Sequence, residues 1–180
     1  PQKVGVAVAD LMTAMYACTG ILAALYHCTQ TGAGQYVDMA LLDVQVAATA
    51  NVNMNYLVSG EVPKRWGNAH PNMVPCKAFR CADGYMIMVA GNDGQFAKFC
   101  EIAGCSELMR DERFATGPAR IRNRDALNAI LDAIFPGRKC EQWIGALSAA
   151  GVPCGPINDM AQVFADPQVQ HRELVVEVPH

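Results

Sequence analysis

At 180 residues, 52% apolar and 17% charged, the chain has the composition of a globular protein with ample core, which excludes a disordered segment. A formal charge of −3 and a pI of 5.8 exclude a nucleic-acid partner that works through a basic face. None of the eight cysteines forms the two-residue spacing of a zinc knuckle or C-x-x-C redox motif, so no metal site is expected.

The length fits one domain or parts of two. The start, Pro1-Gln2-Lys3, is neither an initiator Met nor a signal peptide, and the chain reads as a piece of a longer protein. The apolar run Val4-Gly5-Val6-Ala7-Val8-Ala9 leads into Asp10, and a helix is expected over residues 9–30, ending at the Gly32/Gly34 turn. It is apolar on nearly every face and so belongs inside a larger body. Asp10 and His27 interrupt its apolar run, so no run is expected to reach the ~20 residues of a membrane span. Residues 35–40 read as a short strand. Asp43 opens a second helix through Val46, Ala50, Met54 and Leu57 that ends near Gly60. These elements would form half of a layered α/β body and cannot cover their own apolar surface.

Residues 61–75 read as a linker punctuated by Pro63, Gly67, Pro71 and Pro75. A hairpin follows, 77–80 with 85–90, across Asp83-Gly84. Helices are expected at 95–103, 124–135 and 141–150, a proline-fixed turn at 152–157 and a departing strand at 174–178. The basic stretch Arg120-Ile121-Arg122-Asn123-Arg124 reads as a solvated helix start capped by Asn123. Met39, Met54, Met86 and Met88 read as core filling, and His27 and His171 as packing or surface residues. The cysteines, with Cys18 and Cys28 inside the first helix, read as free thiols packed as small hydrophobes. That implies a reducing compartment, most simply the cytoplasm, or the mitochondrial matrix in a eukaryote.

Asp10 is the residue that asks for chemistry. A carboxylate in apolar company is costly to bury unless something rewards it. A helix N-terminus does so through free N–H donors and the positive end of its dipole. A capping or first-turn acid is one reading of Asp10. A nucleophilic carboxylate, held by the helix start and thinly hydrated, is the other, and the two are compatible. Backbone N–H groups near Leu11 and Met12 are the expected oxyanion donors.

Together, Val8-Ala9-Asp10-Leu11-Met12-Thr13, Gly20-Ile21-Leu22-Ala23-Ala24-Leu25, Thr31-Gly32-Ala33-Gly34-Gln35 and Val37-Asp38-Met39-Ala40-Leu41-Leu42-Asp43 resemble the family III CoA-transferases. The likeness continues through Arg65-Trp66-Gly67, Ala69-His70, Asp83-Gly84-Tyr85, Ala90-Gly91-Asn92 with Gln95-Phe96, and Gly151-Val152-Pro153-Cys154-Gly155-Pro156-Ile157-Asn158. Ala14 and Cys76 depart from the family pattern, which has a Gly after Thr13 and commonly a Tyr after Pro75.

The resemblance implies an interlocked homodimer, each chain with a Rossmann-like large domain and a small α/β domain. Residues 1–60 would end the first block of the large, CoA-binding domain. Residues 61–165 would be linker and small domain, and 166–180 a connector back to the large domain. Both ends of the family's longer chain would then be missing. It also implies Asp10 as the nucleophile, forming an aspartyl-CoA thioester while CoA passes from an acyl-CoA donor to a carboxylic acid acceptor. CoA thioesters would be substrates, with no permanently bound cofactor. Gly67, Asn68 and His70 fall where relatives carry a mobile glycine-rich loop over the active site; an ordinary interdomain turn is the other reading. Lys64 and Arg65 are candidate partners of a substrate carboxylate or CoA phosphate, or plain solvated charges. Within the family, residues 65–70 and 163–169 look most like the succinyl-CoA-dependent dicarboxylate (glutarate) transferases. The alternatives are an α-methylacyl-CoA racemase of the same fold, with Asp10 as general base, and a non-catalytic fragment serving assembly. The racemase motif has glycines shortly after its Asp, and Leu11-Met12-Thr13-Ala14-Met15 has none.

Overall fold

In the computed structural model, which describes residues 4–179, the apolar N-terminal run becomes α1, Val8–Thr31. The helix stops at Gly32, whose backbone is left-handed (φ 74°) and donates its N–H to the Cys28 carbonyl at 2.8 Å. Glycine enters that conformation without a Cβ clash. Residues 35–40 are not the expected strand, because they find no ladder partner among the described residues. They cross α1 at Gly20 instead, where a Cβ would lie 3.4 Å from Val37 Cγ1.

The expected helix at 43–57 is two helices, α2 (Leu41–Ala48) and α3 (Ala50–Ser59). The break has a local cause. The Val46 carbonyl accepts the Thr49 hydroxyl (2.7 Å) and the Asn53 side-chain amide, which compete with the helical ladder. Ala50 is driven to φ 42°.

α1 buries none of its residues within this chain, and Met15 is 72% exposed. By length and composition α1 is long enough and apolar enough to cross a membrane, contrary to the expectation that Asp10 and His27 shorten the run. Asp10 lies in the first turn and His27 near the other end, so neither interrupts the middle. A core helix of a large protein passes the same test.

The chain divides into two compact units, Pro1–Arg65 and Trp66–His180. The second is built on β1 (Cys76–Arg80) and β2 (Tyr85–Val89), antiparallel with Ala78 opposite Ile87. β3 (Cys154–Pro156) joins the other side of β2, with Gly155 opposite Ile87. Residues 152–157 therefore supply a third strand rather than only a turn. Alternation puts Phe79, Met86 and Met88 on the covered face, fully buried, and leaves Tyr85 and Ile87 on the open one. The expected strand at 174–178 does not form; it is exposed and unpaired among the described residues.

The covered face meets α4 (Asp93–Ala103), α6 (Arg124–Ile134) and α7 (Cys140–Ala149), with α5 (Gly117–Arg122) packed against α6. The short helices α8 (Met160–Ala165) and α9 (Pro167–His171) follow, each capped by an aspartate, Asp159 and Asp166. The core is aromatic: Phe135 stacks on Phe79 at 4.2 Å between ring centres, on Phe99 at 5.7 Å, and lies 4.9 Å from Trp143. Asn92 caps α4 by accepting the Gln95 N–H, while Gln95 Oε1 accepts the Gly91 N–H. That reciprocal cap gives the Gly91-Asn92 and Gln95 motif a structural role. Asp83, in the hairpin turn, accepts the Cys140 N–H at 2.8 Å and so caps α7 from outside its own helix. This bond holds the Asp83 carboxyl below the usual carboxylate range.

Met86 and Met88 are core as expected, but Met54 is exposed, and Met39 is half-buried. Cys81, Cys100 and Cys105 are buried, Cys18 is exposed, and all eight thiols are free. Burial and the neighbouring Cys140 thiol push Cys81 up to about 12.

The basic stretch is the largest departure from expectation. Arg120 is fully buried: Nε donates to the Val74 carbonyl (2.9 Å), Nη1 to Phe114 (3.0 Å) and Nη2 to Asp93 (2.7 Å), with its guanidinium stacked over Phe96. Arg124 is 8% exposed and donates to the carbonyls of His70 (2.8 Å) and Pro71 (2.5 Å). Asn123 does not cap α6; its amide donates to the carbonyls of Arg113 and Ala119. Buried guanidinium groups need several acceptors each; the backbone of His70, Pro71 and Val74 supplies three of them, and Phe114 and Asp93 the other two.

Candidate active site

Asp10 is the third residue of α1, an acid in the first turn whose side chain makes no capping hydrogen bond and is exposed within this chain. The position puts a carboxylate at the positive end of a 24-residue helix. The Leu11 N–H, expected as an oxyanion donor, is already committed to the Ala7 carbonyl at 3.0 Å, and Met12 lies one step further into the helix. Val8 donates back to the Val6 carbonyl at 2.9 Å, which closes the preceding turn. Between these two bonds, the first-turn amides of Ala9 and Asp10 have no backbone acceptor among the described residues. Free first-turn amides beside a carboxylate are suited to hold a negative charge that develops on an adjoining oxygen.

Gly67, Asn68 and His70 come together in one turn of the second unit. The Ala69 N–H returns to the Trp66 carbonyl at 3.0 Å, and Gly67 at φ 61° takes the left-handed position with open space around it. Asn68 Oδ1 accepts the Ala78 N–H at 3.1 Å, and the His70 N–H donates to the Cys76 carbonyl at 3.0 Å. The turn thus lies along the free edge of β1 and covers it. His70 Nδ1 accepts the Asn72 N–H at 3.1 Å, which leaves Nε2 as the ring's donor. Lys64, Arg65, His27 and His171 are all exposed. Asp10 belongs to the first unit and the turn to the second.

The sequence reading missed Arg124, which holds this turn through His70 and Pro71, and Arg120, which holds the following stretch at Val74. Thr116-Gly117-Pro118 carried the signal: Thr116 caps α5 and Pro118 sits in its first turn, a helix start upstream of the expected one. With that start, Arg120 falls inside α5 and Arg124 opens α6.

The model of CoA-transferase family III matches residues 1–180. The chain is 47% identical over 178 residues to a succinate–glutarate CoA-transferase of Agrobacterium fabrum, covering 99% of this chain and 44% of the relative. It is 42% identical over 180 residues to a human succinyl-CoA:glutarate CoA-transferase, covering 100% and 41%. Among solved structures, a CAIB/BAIF family protein from Brucella suis superposes with a TM-score of 0.73 at 49% identity, covering 96% of this chain and 46% of that one. Rv3272 of M. tuberculosis superposes at 0.85 with 28% identity, covering 100% and 47%. The chain therefore spans less than half the length of the proteins it matches, and its likeness to them runs from end to end. It is mixed helix and sheet in the α/β class, as are these neighbours, and it belongs to CoA-transferase family III.

Proposed function

We propose that the protein to which this chain belongs is an acyl-CoA:carboxylate CoA-transferase working through an aspartyl-CoA thioester on Asp10. The observation that carries the reading is Asp10 itself. It is an exposed first-turn carboxylate beside the unpaired amides of Ala9 and Asp10, in a chain 47% and 42% identical to transferases named for succinate and glutarate. The donor would be succinyl-CoA or another dicarboxylyl-CoA, and the acceptor a dicarboxylic acid of glutarate type.

The steps follow from what a carboxylate does to a thioester. An Asp10 carboxylate oxygen attacks the donor's carbonyl carbon; the C–S bond breaks, giving an aspartyl-acyl anhydride and CoA thiolate. The thiolate attacks the Asp10 carbonyl carbon, breaking the anhydride C–O bond and releasing the first acid as its carboxylate. The acceptor carboxylate then attacks the aspartyl-CoA thioester, expelling thiolate and forming a second anhydride. Thiolate attack on the acyl carbon of that anhydride yields the new acyl-CoA and regenerates Asp10. Each step exchanges one activated acyl bond for another, so the sequence is close to isoenergetic. The amides of Ala9 and Asp10 would hold the oxyanions on the aspartyl side. Gly67, Asn68 and His70 would contact substrate.

The exposed faces of α1 and α2 support a covered position for them in the full protein, which we assign to an interlocked homodimer. The crossing at Gly20 supports α1 as a helix packed by protein rather than lipid. Free thiols support a reducing compartment, the cytoplasm or the mitochondrial matrix. Asp10→Ala in the full-length protein tests the reading: transfer is lost and the far-UV spectrum is unchanged. Transfer that survives the substitution sinks the mechanism.

A further inference from the structure

We propose that Arg124, supported by Arg120, is a positioning residue that holds the Gly67–His70 turn in one shape from both of its ends. The guanidinium of Arg124 stacks 4.4 Å from the Trp66 ring centre, on the residue just before the turn. Its two Nη atoms donate to the carbonyls of His70 and Pro71, just after it. One planar group therefore closes the turn like a bracket, using the fork of donors and the flat stacking face that arginine has and lysine lacks. Arg120 fixes the next stretch by donating to the Val74 carbonyl at 2.9 Å. On the opposite side, β1 holds the same turn through Asn68 and His70. Arg124 forms no ion pair among the described residues, so its charge is spent on the carbonyls of this segment. The consequence for Gly67, Asn68 and His70 is a fixed presentation, with the left-handed Gly67 at the tip.

The proposal rests on the reading that this turn contacts substrate, and the experiment separates the two. In the full-length protein, Arg124→Ala is compared with wild type by amide exchange and by a transfer assay that follows free CoA and product acyl-CoA together. The amides of Ala69, His70 and Asn72 exchange at least about tenfold faster in the variant, while that of Val89 in β2, which bonds to the Pro153 carbonyl, is unchanged. The turnover number for transfer falls about tenfold, with the KM for donor changing less, and the hydrolysed share of acyl-CoA rises. Millimolar ethylguanidinium restores transfer in the variant, which a merely unstable protein does not show. Arg124→Lys, which keeps the charge, fails to restore the wild-type ratio; it also serves if the alanine variant does not fold. Unchanged exchange at Ala69, His70 and Asn72 overturns the bracket. Faster exchange with normal transfer and hydrolysis overturns the positioning role. If Asp10→Ala abolishes transfer in the same assay, either failure leaves the Asp10 mechanism standing; transfer that survives Asp10→Ala removes the reading beneath the proposal.

Discussion

Replacing Arg120 by Met tests why a fully buried guanidinium is tolerated in the second unit. Methionine keeps the length and the packing on Phe96 but deletes every donor. The carbonyls of Val74 and Phe114 are then left without their side-chain donor in the core, at about 1–3 kcal/mol each. The stacking over Phe96 at 4.5 Å adds roughly 1 kcal/mol. Against these stands the relief of no longer burying a charge, moderated by the weak hydration of guanidinium. The net expected loss is about 3 kcal/mol, on the order of a hundredfold in the opening equilibrium. Asp93→Asn is the control. Its side chain is 61% exposed against 0% for Arg120, water replaces much of what it supplied, and Asn keeps an acceptor, so the cost is about 1 kcal/mol or less. The assay is native-state exchange in the full-length protein, read at the amides of Val89 and Leu127, which lie in a strand and a helix of the same core. The reasoning is refuted if Asp93→Asn costs as much as Arg120→Met, since the ion pair rather than the carbonyls would then be the stabilising contact.

Acid should weaken the second unit through Asp83, whose folded-state carboxyl lies below its ordinary 3.8 because the Cys140 N–H binds the ionised form. The unfolded chain takes up the proton first, so this stabilisation is present above about pH 4 and is lost as pH falls through the folded value; Asp83→Asn should flatten the acid limb of an unfolding titration, and an unchanged limb would refute the assignment. Gly67→Val places a β-branched residue at φ 61°, where strain rather than crowding is the cost. The expected outcome is a raised ratio of acyl-CoA hydrolysis to CoA transfer; an unchanged ratio with normal turnover would make the turn a linker only.

The legible parts of the sequence are those with local causes. Gly32 ends α1 because a left-handed residue is needed there, and Asp83-Gly84 lies in the short loop joining β1 to β2, which the Cys81 N–H closes on the Gly84 carbonyl at 2.8 Å. What depends on distant partners was not legible. Residues 35–40 and 174–178 have strand composition, but a strand exists only with a neighbour to pair with, and among the described residues they find none. Residues 154–156 carry a proline-rich turn pattern and become a strand because β2 has a free edge beside them. The break at Ala50 came from side chains competing for one carbonyl, which no periodicity reveals. Arg120 and Arg124 read as solvent-facing because arginine usually is; their burial follows from acceptors contributed by residues 70–75 and by Phe114. At the candidate site, the first-turn position of Asp10 was legible from the apolar run before it. The identity of the free amides was not, because it turns on where the first helical bond closes.

Trapping the covalent intermediate tests the central claim most directly. Full-length protein is incubated with succinyl-CoA, quenched with hydroxylamine, digested and read by mass spectrometry. The account predicts conversion of the Asp10 side chain to a hydroxamate, dependent on acyl-CoA and absent from the Asp10→Ala variant. A protein that transfers CoA with Asp10 unmodified, or with the hydroxamate on another acid, contradicts it.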